Sequence, residues 1–140
     1  MESKENKKFD RNKIKKRGIK RFINSIKNSL RGLNYAYLHE QSLILHSIMI
    51  ILVLITGFYF ETSKMQWAII VIVMSIVIIT ELLNTAIEAC VDLVTDEYHE
   101  LAKIAKDCAS AAAFVSALLA SGLWVYVYLP QILGLLGKIF

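Results

Sequence analysis

The sequence predicts an all-α membrane fold: an N-terminal amphipathic interfacial helix followed by three transmembrane helices. Three observations carry this expectation. Hydrophobic residues make up 56% of the 140-residue chain and mean hydropathy is +0.50, both above the values of ordinary soluble domains. The apolar residues are gathered into three blocks, each long enough to cross a hydrocarbon core of about 30 Å. Charge is segregated as well: of 16 Lys and Arg residues, 12 lie before position 32, leaving only Lys64, Lys103, Lys106 and Lys138 beyond it. A basic flank beside apolar spans obeys the positive-inside rule, so the N-terminus is expected in the cytoplasm. No signal peptide is expected, because the basic region is long and no small-residue cleavage site follows the first apolar run.

The elements follow in order. Residues 1–18 open with MESKENKKFDRN, polar and charged, and are expected to form a disordered basic tail. The remainder, 19–140, reads as a single domain. From Ile19 onward, Phe22, Ile23, Ile26, Leu30, Leu33 and Tyr37 recur at three- and four-residue steps while Lys20, Lys27 and Arg31 take other faces. That pattern is an amphipathic helix over 19–38, suited to lie in the interface with its basic face toward anionic headgroups. The first span covers 43–60, and a polar turn, ETSK, leads into the second, 66–93, with Trp67 as an interfacial anchor. A cytoplasmic loop is expected over 94–103. The third span, 107–129, ends in WVYVYLP, where Trp124, Tyr126 and Tyr128 suit an aromatic belt and Pro130 a helix stop. Three crossings place the end of the chain outside.

Ala109, Ala113, Ala117 and Ser121 repeat every fourth position in the third span, a spacing that lets helices approach closely in lipid. Three short helices bury little, so this stripe suggests a homo-oligomer; packing within one protomer is the alternative. Cys90 and Cys108 show neither CxxC nor secreted-domain spacing and read as small packing residues in a reducing compartment.

The second span carries the chemistry. WAIIVIVMSIVIIT, residues 67–80, holds no charge, yet ELLNTAIEACVD follows at once. At 100° per residue, Glu81, Asn84, Glu88 and Asp92 fall within an arc of about 80° on one helix face. With Trp67 at the outer interface, the rise per residue puts Glu81 about 21 Å in and Glu88 about 31 Å in, at the inner headgroup level. A carboxylate at mid-bilayer costs about 2.5–3.5 kcal/mol, so these groups must face protein. Burial favours the protonated form of a carboxylate, which suits Glu81 as a general base working near neutral pH. Glu88, nearer water, suits Mg²⁺, a hard cation usually held by one or two carboxylates plus substrate phosphates. Asn84 between them can orient a reacting hydroxyl. The competing reading of the stripe is a polar seam between helices or the lining of an ion path.

A second stripe opens the third helix, where Lys103, Lys106, Asp107 and Ser110 share a face behind the loop VTDEYHE. Plain charge pairing explains it, and so does a polyphosphate held between Lys and Mg²⁺, since phosphoryl transfer depends on positioning and charge neutralisation. Ser110 is assigned to the substrate side. Neither GxxxxGK[ST] nor GxGxxG is present, which excludes a P-loop or soluble-kinase nucleotide site. His39, His46 and His99 do not have metal-site spacing; His39 reads as interfacial and His46 as buried and hydrogen-bonded.

The stretch ELLNTAIEACVDLVTDEYHELAKIAKD resembles the signature of the prokaryotic diacylglycerol kinase family, small integral-membrane lipid kinases that include the undecaprenol kinases of Gram-positive bacteria. Glu-x-x-Asn-x-Ala-x-Glu-x-x-x-Asp, then Glu-Tyr-His, then Lys-Asp, is a long pattern, and the likeness in hydropathy layout runs from about Arg21 to Leu129. The resemblance implies a homotrimer in the bacterial cell membrane, with active sites shared between protomers, that transfers the γ-phosphate of Mg·ATP to a lipid hydroxyl. It implies Glu81 as catalytic base with Asn84 beside it, and Glu88 and Glu40 as metal ligands. It further implies nucleotide contacts at Asp92, Glu97, Tyr98, His99, Lys106 and Asp107. Arg21 matches a stretch that helps bind ATP, and Arg31, Gly32 and Leu33 one that helps bind ATP and lipid. Where the family commonly has Phe-Arg after Glu40, this chain has Leu43 and Ile44, while His46 matches the Gram-positive style. The expected substrate is undecaprenol, with diacylglycerol as the alternative. Rival classes are a small oligomeric channel or transporter using the acidic stripe, and a nucleic-acid-binding membrane anchor built on the basic tail; no nucleic-acid partner is expected.

Overall fold

A computed structural model describes residues 18–95 and 97–138; the basic tail expected over 1–18 lies, Gly18 apart, outside the described residues. Four helices make up the described chain: α1 (Ile19–His39), α2 (Gln41–Tyr59), α3 (Lys64–Val94) and α4 (Glu100–Leu136). No strand occurs among the described residues. The last three are long and apolar enough to cross a membrane. The chain divides into two compact units, one ending at Tyr35 and the other starting at Ala36.

In the first unit, α1 starts behind Gly18, whose φ of +138° is open to glycine and whose carbonyl accepts the Arg21 N–H. Every side chain from Ile19 to Tyr35 is exposed. Arg31 donates to Asn28 Oδ1 one turn earlier, at 2.8 Å.

In the second unit, α3 and α4 pack along each other and α2 lies against α3 over a shorter stretch. Outward-facing Ile44, Ile48, Ile51 and Ile55 leave α2 coated in hydrocarbon, as a lipid-facing helix requires. The turn after α2 passes through Glu61 at φ 49°, and a capping box of Ser63 and Gln66 then starts α3. Next to this turn the core gathers around Ile70, Val127 and Tyr128. Tyr128 is fully buried, and its hydroxyl meets Thr62 Oγ1 at 3.0 Å; Trp124 Nε1 donates to Thr56 Oγ1 at 3.2 Å. Of the expected aromatic belt, therefore, only Tyr126 faces outward. Buried Tyr and Trp need a partner for their polar tips, and the two threonines draw Tyr128 and Trp124 in.

The small-residue stripe packs, at its start, within the chain. Ala109 and Ala113 are buried, as is Ser116, whose hydroxyl lies 2.8 Å from that of Thr80. The start of the stripe thus forms the α3–α4 seam within the chain, and only Ser121 at its far end stays exposed. Because Ala109 takes the buried position, Cys108 is turned outward; both cysteines are free and exposed instead of packed. The helices overrun the expected spans. His99 Nδ1 accepts the Leu101 N–H at 3.2 Å, so α4 begins at Glu100 and the connection expected over 94–103 shortens to 95–99. Pro130 does not stop α4, which continues to Leu136. One missing N–H removes a single i→i−4 bond, a loss that long apolar helices absorb.

Candidate active site

On α3, Glu81, Asn84 and Thr85 are all buried. Helical periodicity brings Glu81 and Asn84 to one face, and Thr85 turns its hydroxyl back to the Glu81 carbonyl at 3.0 Å. Glu81 is only 5% exposed, so its carboxylate needs partners, and α2 supplies them. Ser42 Oγ donates to Oε2 at 2.9 Å, and His46 Nε2 lies 2.9 Å from Oε1. Ser42 and His46 are one turn apart on α2, each holding one oxygen.

Further along the stripe, Asn84 Nδ2 donates to Glu88 Oε1 at 2.9 Å. This turns Asn84 Oδ1 into the interior, buried and without a partner. A buried acceptor left unpaired costs about 1–3 kcal/mol, so Oδ1 marks where an incoming group is wanted. Glu88 is half-buried. One turn on, exposed Asp92 accepts from Lys106 Nζ across the α3–α4 pair. The stripe legible in sequence thus runs from the buried Glu81, through the Asn84–Glu88 pair, to the Asp92–Lys106 pair at the exposed helix ends.

There the chain forms a depression of about 490 Å³ lined by Asp92, Glu97, Tyr98, His99, Lys103, Lys106 and Asp107. Lys103 donates to Asp107 Oδ2 at 2.9 Å, and Thr95 Oγ1 accepts the Glu97 N–H at 3.1 Å, shaping the connection. Both lysines are cationic at neutral pH. Six of the residues expected to contact nucleotide are thus brought together, with Lys103 beside them. His99 also caps α4, so its ring holds the loop as well as lining it.

Ser110 is exposed and does not line this depression. Arg21, Arg31, Gly32 and Leu33 lie on α1 in the first unit. Glu40 is the half-buried residue between α1 and α2, and its side chain makes no capping bond. Among the described residues no three of His, Cys, Asp and Glu gather as a metal cluster. Glu40 and Glu88 are hard carboxylate donors, and a pair at most fits a cation that keeps water and substrate phosphate in its shell.

Between α2, α3 and α4 an apolar groove of about 360 Å³ is lined by Met49, Val53, Met74, Val77 and Ala117, with His46 among its walls. Ser42 and His46 are the partners of Glu81 that sequence reasoning did not place at the site. Their signal is an i,i+4 polar pair in the otherwise apolar stretch SLILH, of which His46 is already expected to be buried and hydrogen-bonded.

Residues 27–128 match the family of prokaryotic diacylglycerol kinases. The chain is 38% identical over 114 residues to the undecaprenol kinase of Bacillus subtilis, covering 81% of this chain and 93% of that one. It is 37% identical over 115 residues to the diacylglycerol kinase of Pseudomonas aeruginosa, covering 80% and 91%, and 31% identical over 107 residues to that of Escherichia coli, covering 76% and 88%.

Proposed function

The chain belongs to the prokaryotic diacylglycerol kinase family of lipid kinases, and from that premise we propose that it transfers the γ-phosphate of Mg·ATP to undecaprenol at the cytoplasmic face of a bacterial membrane. The observation that carries this reading is Glu81, a carboxylate buried in an apolar helix and held by two partners, on the same helix face as the Asn84–Glu88 pair and the Asp92 that meets Lys106.

The lipid hydroxyl approaches along the membrane and meets Asn84 Oδ1, the acceptor without a partner. Rotation about its C–O bond turns the hydrogen to Glu81, which takes it as the oxygen attacks. The lipid O–H bond breaks, the new O–P bond forms, and the bond from γ-phosphorus to the bridging oxygen breaks to release ADP. Lys106 and Lys103 meet the phosphates, and the Glu97–His99 loop the rest of the nucleotide. Glu40 and Glu88 are the residues that would hold Mg²⁺, which when bound neutralises charge on the phosphates. Positioning and charge neutralisation supply most of the rate in such chemistry.

The groove beside His46 supports a polyprenol over diacylglycerol as substrate. Its polar side chains are already engaged: His46 with Glu81, Ser121 with the Ala117 carbonyl, Trp124 with Thr56. A polyprenol's only polar atom is its hydroxyl, whereas diacylglycerol also brings ester carbonyls that want donors. The identity to a relative named undecaprenol kinase points the same way. We further read the enzyme as a homotrimer with its N-terminus in the cytoplasm and its site composed across protomers, with Arg21 assigned to nucleotide and Arg31 to lipid binding.

The test is phosphate transfer from labelled ATP by the purified, detergent-solubilised protein, offered undecaprenol and diacylglycerol separately. Transfer to undecaprenol that disappears in Glu81→Gln is the expected result. Preferential transfer to diacylglycerol overturns the substrate, and transfer to neither overturns the reading.

A further inference from the structure

Glu81 has both carboxylate oxygens occupied, and both partners come from one face of α2. Ser42 Oγ donates to Oε2 and His46 Nε2 stands against Oε1, each at 2.9 Å. An ionised carboxylate only accepts hydrogen bonds, so while Glu81 is charged His46 carries its hydrogen on Nε2. The pair does two things at once. It offsets the cost of a carboxylate in an apolar helix, which donors must supply there. It also fixes the plane of the carboxylate, since two bonds to two oxygens from residues one turn apart leave it a single orientation.

His46 has a second face. Its side chain is 16% exposed, and that exposed part looks into the apolar groove bounded by Met49, Val53, Met74 and Val77. One ring therefore touches the carboxylate and also lines the apolar groove. We propose that His46, with Ser42, is the positioning residue of the lipid kinase, holding Glu81 at the mouth of the groove in the orientation that receives the lipid hydroxyl's proton. The proposal rests on the reading of Glu81 as base. It assigns His46 no proton transfer of its own: what matters is a hydrogen-bond donor at the Nε2 position.

That requirement yields a paired test. Glutamine presents its amide nitrogen the same number of bonds from Cα as Nε2 of histidine, whereas asparagine stops one bond short. The full chain in detergent is assayed as wild type, His46→Ala, His46→Asn and His46→Gln, with ATP and lipid concentrations varied independently. His46→Ala and His46→Asn are expected to lower kcat about ten- to hundredfold, the scale of misplacing a catalytic group, with KM for ATP unchanged. His46→Gln is expected to return kcat to within about threefold of wild type, a step smaller than one lost charge-assisted bond. Ser42→Ala, removing one of two donors, is expected to fall between. The retained melting temperature of His46→Gln separates positioning from folding. The proposal is overturned if His46→Ala keeps wild-type kcat, if it raises only KM for lipid, or if His46→Gln is as slow as His46→Ala. In each of those cases wild type still turns over and Glu81→Gln does not, so the lipid-kinase reading survives. If wild type transfers no phosphate, or Glu81→Gln is as fast as wild type, the reading of the base falls and this proposal with it.

Discussion

Lys106 on α4 donates to Asp92 on α3, tying the two helices together at the rim of the depression where the polar stripe ends. The lysine is more than a third exposed and the aspartate more so, so solvent screens the bond and it adds little to stability. Its position suggests a different use: an incoming phosphate competes with Asp92 for the same ammonium. Lys106→Ala is expected to raise KM for ATP tenfold or more while leaving the melting temperature nearly unchanged. A large loss of stability with normal KM would mark the pair as structural.

Glu81 and Glu88 occupy one face but are expected to fail differently when made amides. Glu81→Gln should lower kcat by about 10²–10⁴ at any Mg²⁺ concentration, the contribution of a general base. Glu88→Gln should shift the Mg²⁺ titration of activity to higher concentration and recover part of its rate when Mg²⁺ is raised. Titrating both variants with MgCl₂ at saturating ATP separates them; identical curves would argue that the two carboxylates share one role.

Gly57 sits where no side chain fits. A Cβ there would stand 2.5 Å from Trp67 Cη2 and 2.6 Å from Cζ2, which overpacks the core end of α2. Gly57→Ala is expected to destabilise the fold by about 1–3 kcal/mol. Adding Trp67→Phe, which deletes the clashing ring, should raise the melting temperature above that of Gly57→Ala alone. A tolerated single substitution would show that α2 and α3 have room to shift.

The α3–α4 seam depends on small residues. Ala113→Leu is expected to force the helices apart at a cost of about 1–3 kcal/mol and to lower activity with it, because Asp92 and Lys106 lie on the two helices it separates. Ser116→Ala removes the hydroxyl's contact with Thr80 and its local bond to the Ala113 carbonyl; the interhelical part is about 0.6 kcal/mol for a contact of this type in membranes. Thermal melts with parallel activity assays check both.

Much of the molecule was legible in advance because the signals are local. Three spans follow from apolar runs, and Glu81, Asn84, Glu88 and Asp92 share a face because the helix repeat puts them there. The capping role of His99 and the passage of α4 through Pro130 were not legible, since both depend on a single bond made or lost. The small-residue stripe was legible as a contact surface, but its partner was not: Ala113 faces α3 of its own chain as readily as another copy would allow.

By itself, then, the sequence determined the helical class, the spans, and the acidic and basic faces, all consequences of residue order along one helix at a time. Only the tertiary structure decided that Ser42 and His46 close on Glu81, that Asn84 keeps an unpaired oxygen beside Glu88, and that Tyr128 turns inward to Thr62. These pairings join residues far apart in the chain or depend on one side-chain rotamer, and periodicity carries no information about which face of one helix meets which face of the next.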